Sequence, residues 1–476
     1  MNGHPPTEPL HYQDATSLAA LIADKQVSSR EVVQAHLDRI AEVNPSVNAI
    51  VTLLAEDALR AADAADIAVA SGAELGPLHG VPVTVKDSID TAGVLTQGGT
   101  KLFAGRVPDA DGTSVSRFKT AGGIVLAKTN LPEFSAWTET DNLVTGRTNN
   151  PWNLDRTPGG SSGGESAAIA AGMSPIGIGS DVAISVRGPA AHTGIAALKA
   201  THGRIPFTGH LAPTTSAWFH VGPMARTVRD VALGYSILSG PDGRDGFAVH
   251  AKGTESANTR IAGQTIRVGW VAGDAFGPVD PEITAAVADA AARLIDLGCR
   301  VEWIDPPFLR KTDALTAVMT LFYSRLVPHV QALAAGREEE LFATGAGIVA
   351  MPDPTLAELQ AAYRTQEDLR SAFAGYFGDY DVLLCPVTPV TATPHGAQEL
   401  VIDGVAAPWP HVMDITSFFN LTGLPALAVP YGFSSESLPI GIQLVSRWFD
   451  ESTILRLGAL LERKGGLGNR RPPVPV

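Results

Sequence analysis

Cysteine is nearly absent. Cys299 and Cys385 are the only two in 476 residues, which excludes a disulfide framework and a cysteine-built zinc site. Charge is sparse at 18%, below the usual quarter, and that disfavours a disordered chain. Positive charge is in deficit, with 35 Lys and Arg against 49 Asp and Glu and a formal net charge of -14. Bulk electrostatic binding to nucleic acid or to an anionic membrane is therefore not expected. No apolar run reaches the roughly 18 residues of a membrane span. The start, "MNGHPPTEPLHYQDATS", lacks the basic and apolar segments of a secretory signal. A cytoplasmic protein is the expectation. Internal repeats and low-complexity stretches are also lacking.

What is present is a 45% hydrophobic share with 48 glycines and 34 prolines, a composition for a large core joined by many tight turns. Ser28-Ser29-Arg30-Glu31 has the form of a capping box. Val32, Val33, His36, Leu37 and Ile40 then mark one helix face, and that helix should stop before Pro45. His36 reads as a boundary residue of that helix. Residues 54–71 read as an alanine-rich helix. In "HGVPVTVKDSID" the period changes to two, which predicts a strand with Lys86 near its end. Helical and strand patterns then alternate to the final helix at 452–463. The fold class expected is α/β, with one large domain over 1–476 and a central mixed, mostly parallel sheet covered by helices on both faces. Residues 70–210 would carry the core, 240–380 a more variable helical and substrate region, and 465–476 a flexible tail.

Residues 158–190, "PGGSSGGESAAIAAGMSPIGIGSDVAISVRGPA", hold adjacent serines in glycines and a lone serine further on. A phosphate loop fits poorly, because the stretch lacks G-x-x-x-x-G-K-[ST] and Glu165 places negative charge in the first helical turn. A nucleophile elbow fits G-x-S-x-G, but neither His395 nor His411 stands in a convincing context to complete it. Taken alone, the stretch reads as turn glycines and capping serines.

The wider pattern changes that reading. "LHGVPVTVKDSIDTAGVLTQGGT" (79–100), "AGGIVLAKTNLPEFS" (121–135), "NPWNLDRTPGGSSGGESAAIAAG" (150–172), "ALKATHGRIP" (197–206) and "LPIGIQLVSRWFDESTILRLG" (438–458) occur in this order. With them the chain resembles the amidase signature family over nearly four hundred residues. The resemblance implies a metal-free, cofactor-free serine hydrolase with a triad of Ser185 as nucleophile, Ser161 as bridge and Lys86 as base. It also implies a cis peptide at Gly160–Ser161 and an oxyanion hole from the backbone N–H groups of Val182, Ala183, Ile184 and Ser185. Ser162 would support the bridge, Asp181 and Arg187 would form a buried pair holding the nucleophile loop, and Ser135 would contact substrate. Trp137, Phe219, Phe322 and Tyr323 are candidates for the wall of the pocket.

The chemistry is coherent. A serine hydroxyl becomes nucleophilic when a neighbouring base takes its proton. Lysine can serve only when neutral, and bringing its amine from ~10.4 to neutrality corresponds to roughly 4–5 kcal/mol. Burial beside Val81, Val83 and Val85 has the required sign. Asp87 would oppose the shift if it approached the amine, but an extended chain should turn it to the opposite face. One departure stands out. The family loop Asp-x-Gly-Gly-Ser is here "DVAIS". A β-branched residue resists positive φ, so Ala183 and Ile184 are expected at negative φ, and Gly188 after Arg187 makes room.

The resemblance points to amide C–N hydrolysis, with esters and carbamates (urethanes) open to the same acyl-enzyme route, on a small-molecule substrate by a monomer or homodimer. Two rivals are an amidotransferase A-type subunit that releases ammonia from glutamine in a complex, and a non-catalytic binding protein on the same scaffold.

Overall fold

Four short strands fix the geometry on which the candidate site rests. β1 (Ile50–Leu53), β2 (Pro82–Lys86), β3 (Ile124–Thr129) and β4 (Ile176–Asp181) lie side by side in the order β1-β3-β2-β4. β2 runs parallel to both β3 and β4, with the helices Thr113–Thr120 and Gly163–Ala170 in the connections. Parallel strands joined in this way present their carboxyl ends together. Lys86 and the Ser180-Asp181 pair therefore share one edge of the sheet. The computed structural model describes residues 8–211, 218–251, 265–310, 313–465 and 470–474.

The sheet continues through β5 (Ala196–Lys199), β6 (His220–Ala225), β7 (Arg267–Trp270), β8 (Arg300–Trp303), β9 (Val382–Pro386), β12 (Ala426–Phe433) and β13 (Pro439–Ser446). Among the described residues its eleven strands are ordered β1-β3-β2-β4-β6-β5-β12-β13-β9-β7-β8. A separate hairpin pairs β10 (Glu399–Ile402) with β11 (Val405–Pro408). The single α/β domain with helices flanking a mixed sheet is as expected, but parallel ladders are the minority. Among the described strands only β2–β3, β2–β4, β7–β8 and β7–β9 are parallel, because β6, β12 and β13 return antiparallel in the middle.

Period two in "VPVTVK" predicted a strand correctly, yet every residue of β2 is buried. Both faces of a helix-covered parallel strand are core, so Thr84 and Lys86 are as enclosed as Val83 and Val85. The Ser28–Glu31 capping box forms, with Glu31 N–H donating to Ser28 Oγ at 3.0 Å and Ser28 N–H to Glu31 Oε2 at 2.8 Å. The helix it starts does not stop before Pro45 but runs Ser29–Val47. Pro45 sits in its last turn, where it gives up one bond to the preceding turn, and Asn48 in the left-handed region closes the helix. His36 is not a boundary residue. It is fully buried, its Nδ1 is 2.8 Å from the Val32 carbonyl, and burial pushes its pKa down to about 3.

The tail also departs from expectation where it is described. Val474 is buried in the cluster around Val33 and Leu126, and Arg471 pairs with Glu8. The rest of that stretch, 466–469 and 475–476, lies outside the described residues. Among the described residues no helix is long and apolar enough to cross a membrane.

Candidate active site

Lys86, at the end of β2, places its Nζ 2.6 Å from Ser161 Oγ and 3.1 Å from Ser180 Oγ. Lys86, Ser161 and Ser180 are all fully buried. The Gly160–Ser161 peptide is cis. Gly159 holds a positive φ, and a Cβ on Gly160 would lie 2.6 Å from the Trp137 carbonyl, so both glycines are required by the turn.

Burial drives the Lys86 amine down to about 7, against Asp181 and Glu165, whose charges favour the ammonium. Asp87 takes no part in that balance. It turns away, as expected, and faces the buried Lys128 amine at 3.5 Å. Glu165, in the sequence no more than an unwelcome charge in a helix, is buried beneath the lysine. The hydroxyls of Thr84 and Thr129 donate to it, and burial raises its own pKa to about 7. Thr84 lies two residues before Lys86 on the same face of β2, which is the only sequence signal that could have linked Glu165 to the amine.

Ser185 follows β4 on the loop Val182–Val186. Its carbonyl accepts from the Ser162 N–H at 3.2 Å, which ties this loop to the Ser161 turn. Ser162 Oγ also bridges to the backbone of Ser180 at 3.3 Å. Asp181 and Arg187 form the buried pair, doubly bonded at 3.0 and 3.1 Å. Asp181 further accepts from the Val186 N–H at 3.0 Å, and Arg187 donates to the Ala183 carbonyl at 3.1 Å. The pair thus clamps the loop at both ends. Ala183 and Ile184 keep negative φ. Among the described residues, the N–H groups of Val182, Ala183, Ile184 and Ser185 donate to no protein acceptor. Buried unpaired N–H groups are rare, so a cluster of them facing a pocket is a ready set of donors for an oxyanion.

The pocket over Ser185 is narrow, about 50 Å³, and is lined by the 182–185 loop, Ser135 to Thr138, Met319, Phe322, Tyr323 and Met413. Among the described residues no charged side chain lines it. Trp137 stands half-exposed at its edge. Phe219 does not line it but packs behind Phe322, with ring centroids 5.9 Å apart. Phe134 and Ser135 are consecutive residues at positive φ, and the buried Ser135 hydroxyl has no partner among the described residues. Larger cavities elsewhere, one of about 760 Å³ beside Arg204 and Tyr235, contain none of these groups.

These features coincide with a family. The sequence profile named Amidase matches residues 31–455, and the chain belongs to that family. It is 36% identical to the A subunit of the glutamyl-tRNA(Gln) amidotransferase of Acidothermus cellulolyticus, over 94% of this chain and 93% of that one. It is 33% identical to an acylamidase of Rhodococcus erythropolis, over 97% and 98% of the two chains. Its fold matches a bacterial aryl acylamidase of the amidase signature family with a TM-score of 0.87 at 28% identity, covering 96% of this chain and 97% of that one.

Proposed function

We propose that this chain is a stand-alone serine amidase that hydrolyses uncharged amides bearing an apolar or aromatic group. The observation that carries this reading is the buried 2.6 Å contact between Lys86 Nζ and Ser161 Oγ beside a pocket that ends on Ser185 and holds no charge. In the reaction, Ser185 Oγ attacks the carbonyl carbon. Its proton passes to Ser161, whose own proton passes to neutral Lys86. The oxyanion of the tetrahedral intermediate takes hydrogen bonds from the N–H groups of 182–185, each worth about 3–4 kcal/mol in such sites. The Lys86 ammonium then returns a proton through Ser161 to the leaving nitrogen, the C–N bond breaks, and water hydrolyses the acyl-Ser185 ester by the same route. Esters and carbamates can form the same acyl-enzyme. Ser185 Oγ makes no hydrogen bond among the described residues, and such contacts commonly tighten only when substrate binds.

The likeness to an amidotransferase component supports a second reading, glutamine hydrolysis within a complex. Glutamine carries an ammonium and a carboxylate, however, and the pocket offers a counter-charge to neither. Intact mass after fluorophosphonate treatment tests the chemistry. One adduct is expected on the native chain, none on Ser185→Ala, and slow labelling on Ser161→Ala and Lys86→Ala. Labelling of Ser185→Ala at the native rate would overturn the assignment. Ammonia release from glutamine exceeding anilide turnover would favour the second reading.

A further inference from the structure

A second hydroxyl competes for the amine of Lys86. Ser180 Oγ lies 3.1 Å from Lys86 Nζ and 3.0 Å from His210 Nε2, and Ser88 Oγ is also 3.0 Å from that nitrogen. All of these groups are buried. The imidazole is packed into an aromatic cluster, stacked on Phe207 at 4.5 Å between ring centroids and tilted against Phe219 at 4.9 Å. Backbone pairing of His210 with Ile89, and of the Leu211 N–H with the Ser88 carbonyl at 2.7 Å, anchors the segment that carries it.

A neutral amine has one lone pair, and a serine hydroxyl has one proton to give. If Ser180 donated that proton to Lys86, the lone pair would be occupied and Ser161 could not be deprotonated. We propose that His210 is a positioning residue for the Lys86 base: its Nε2 lone pair takes the Ser180 proton, so Ser180 can only accept from Lys86, and the amine lone pair is left to Ser161. This rests on Lys86 acting as the base. The imidazole must stay neutral with Nε2 unprotonated. Burial, with Lys86 and Lys128 nearby, holds its pKa well below the ordinary histidine value. The charges facing Lys86 itself are Asp181 at the end of β4 and Glu165 on the helix Gly163–Ala170, both of which favour its ammonium form. Ser88 Oγ competes for the same single lone pair, so its removal should leave the Ser180 bond in place.

The test is the rate of fluorophosphonate labelling of Ser185 as a function of pH in the full chain. His210→Phe keeps an aromatic ring and loses the acceptor. Its plateau rate should fall about tenfold, the cost of one misdirected hydrogen bond. Its acid limb should move to lower pH, because the Ser180 proton now stabilises the neutral amine. Ser88→Ala should label at the native rate. In a Ser180→Ala background the histidine substitution should cost nothing further, which a merely structural role would not predict. An equal loss in both backgrounds, or a His210→Phe plateau within about twofold of native, overturns the proposal while leaving the triad intact. A native chain that does not label at Ser185 instead overturns the functional reading beneath it. If His210→Phe does not fold, the ¹⁵N shift of the native imidazole decides the matter. An unprotonated Nε2 is expected, and a protonated Nε2 overturns the assignment.

Discussion

At the scale of single residues, the site turns on how one amine is kept neutral. Lys86 sits at about 7 because burial outweighs two carboxylates. A base works only unprotonated, so kcat/KM on an anilide should be flat above that value and should fall as the pH drops through about 7. Glu165→Gln removes a charge that favours the ammonium. The Lys86 pKa should then drop, and the acid limb of the profile should shift to lower pH. A limb that stays in place, or moves up, would show that Glu165 does not act on the amine. Much of the proposed site was legible. Lys86, Ser161 and Ser185 could be carried over from motif order, and the structure brings Lys86 and Ser161 into contact. Ser180, His210 and Glu165 were not legible, because their roles depend on which strand ends and helix turns meet across the sheet, and no local spacing encodes that.

At the scale of elements, the nucleophile loop shows how a change in sequence is accommodated. Ile184 stands where the family pattern has glycine, and its side chain joins an apolar cluster with Val390, Leu400, Ile402, Ala407, Trp409 and Val412. The hairpin β10–β11 is thereby fastened to the loop. Trp409 adds a bond from its indole N–H to Thr138 Oγ1 at 2.9 Å, on the opposite wall of the pocket. The helix Arg187–Thr193 must then give way, and it does so at Gly188, where a Cβ would come within 2.5 Å of Ile184 Cγ1. Gly188→Ala should therefore destabilise the protein by about 1–3 kcal/mol, as overpacking does. The same change in an Ile184→Ala background should cost far less. Urea unfolding of the four chains gives the coupling energy, and additive losses would show that the two positions do not compensate each other. The negative φ of Ala183 and Ile184 followed from side-chain chemistry alone. The helix through Pro45 and the antiparallel centre of the sheet did not, since caps and strand partners are settled by tertiary packing.

At the scale of the whole molecule, one buried ion pair joins segments far apart in the chain. Arg187 reaches Asp181 on β4, the Thr416 carbonyl and the Asn420 side chain on the helix Asp414–Thr422, and Gln443 Oε1 on β13 at 3.0 Å. Removing one partner strands a charge in the core, so Arg187→Met should lower stability by about 3–5 kcal/mol and abolish labelling of Ser185. Replacing both partners, Asp181→Leu with Arg187→Met, should recover stability but not activity, because Asp181 also accepts the Val186 N–H that fixes the loop. Recovery of labelling in the double variant would mean that the pair serves only to fill the core. Substrate choice belongs to this scale too. The pocket is closed by the loop after β4, by the helix Ala314–Ala334 through Met319, Phe322 and Tyr323, and by Met413 near the hairpin. A wall without charge favours ligands without charge, since an unpaired ion loses its hydration there and gains no partner. The native chain should turn over an anilide such as acetanilide with a kcat/KM at least about a hundredfold above that for glutamine, corresponding to roughly 3 kcal/mol for zwitterion desolvation. Tyr323→Arg should narrow that gap by offering the carboxylate a partner. Comparable rates on both substrates in the native chain would place charge recognition outside this pocket and return the amidotransferase reading to first place.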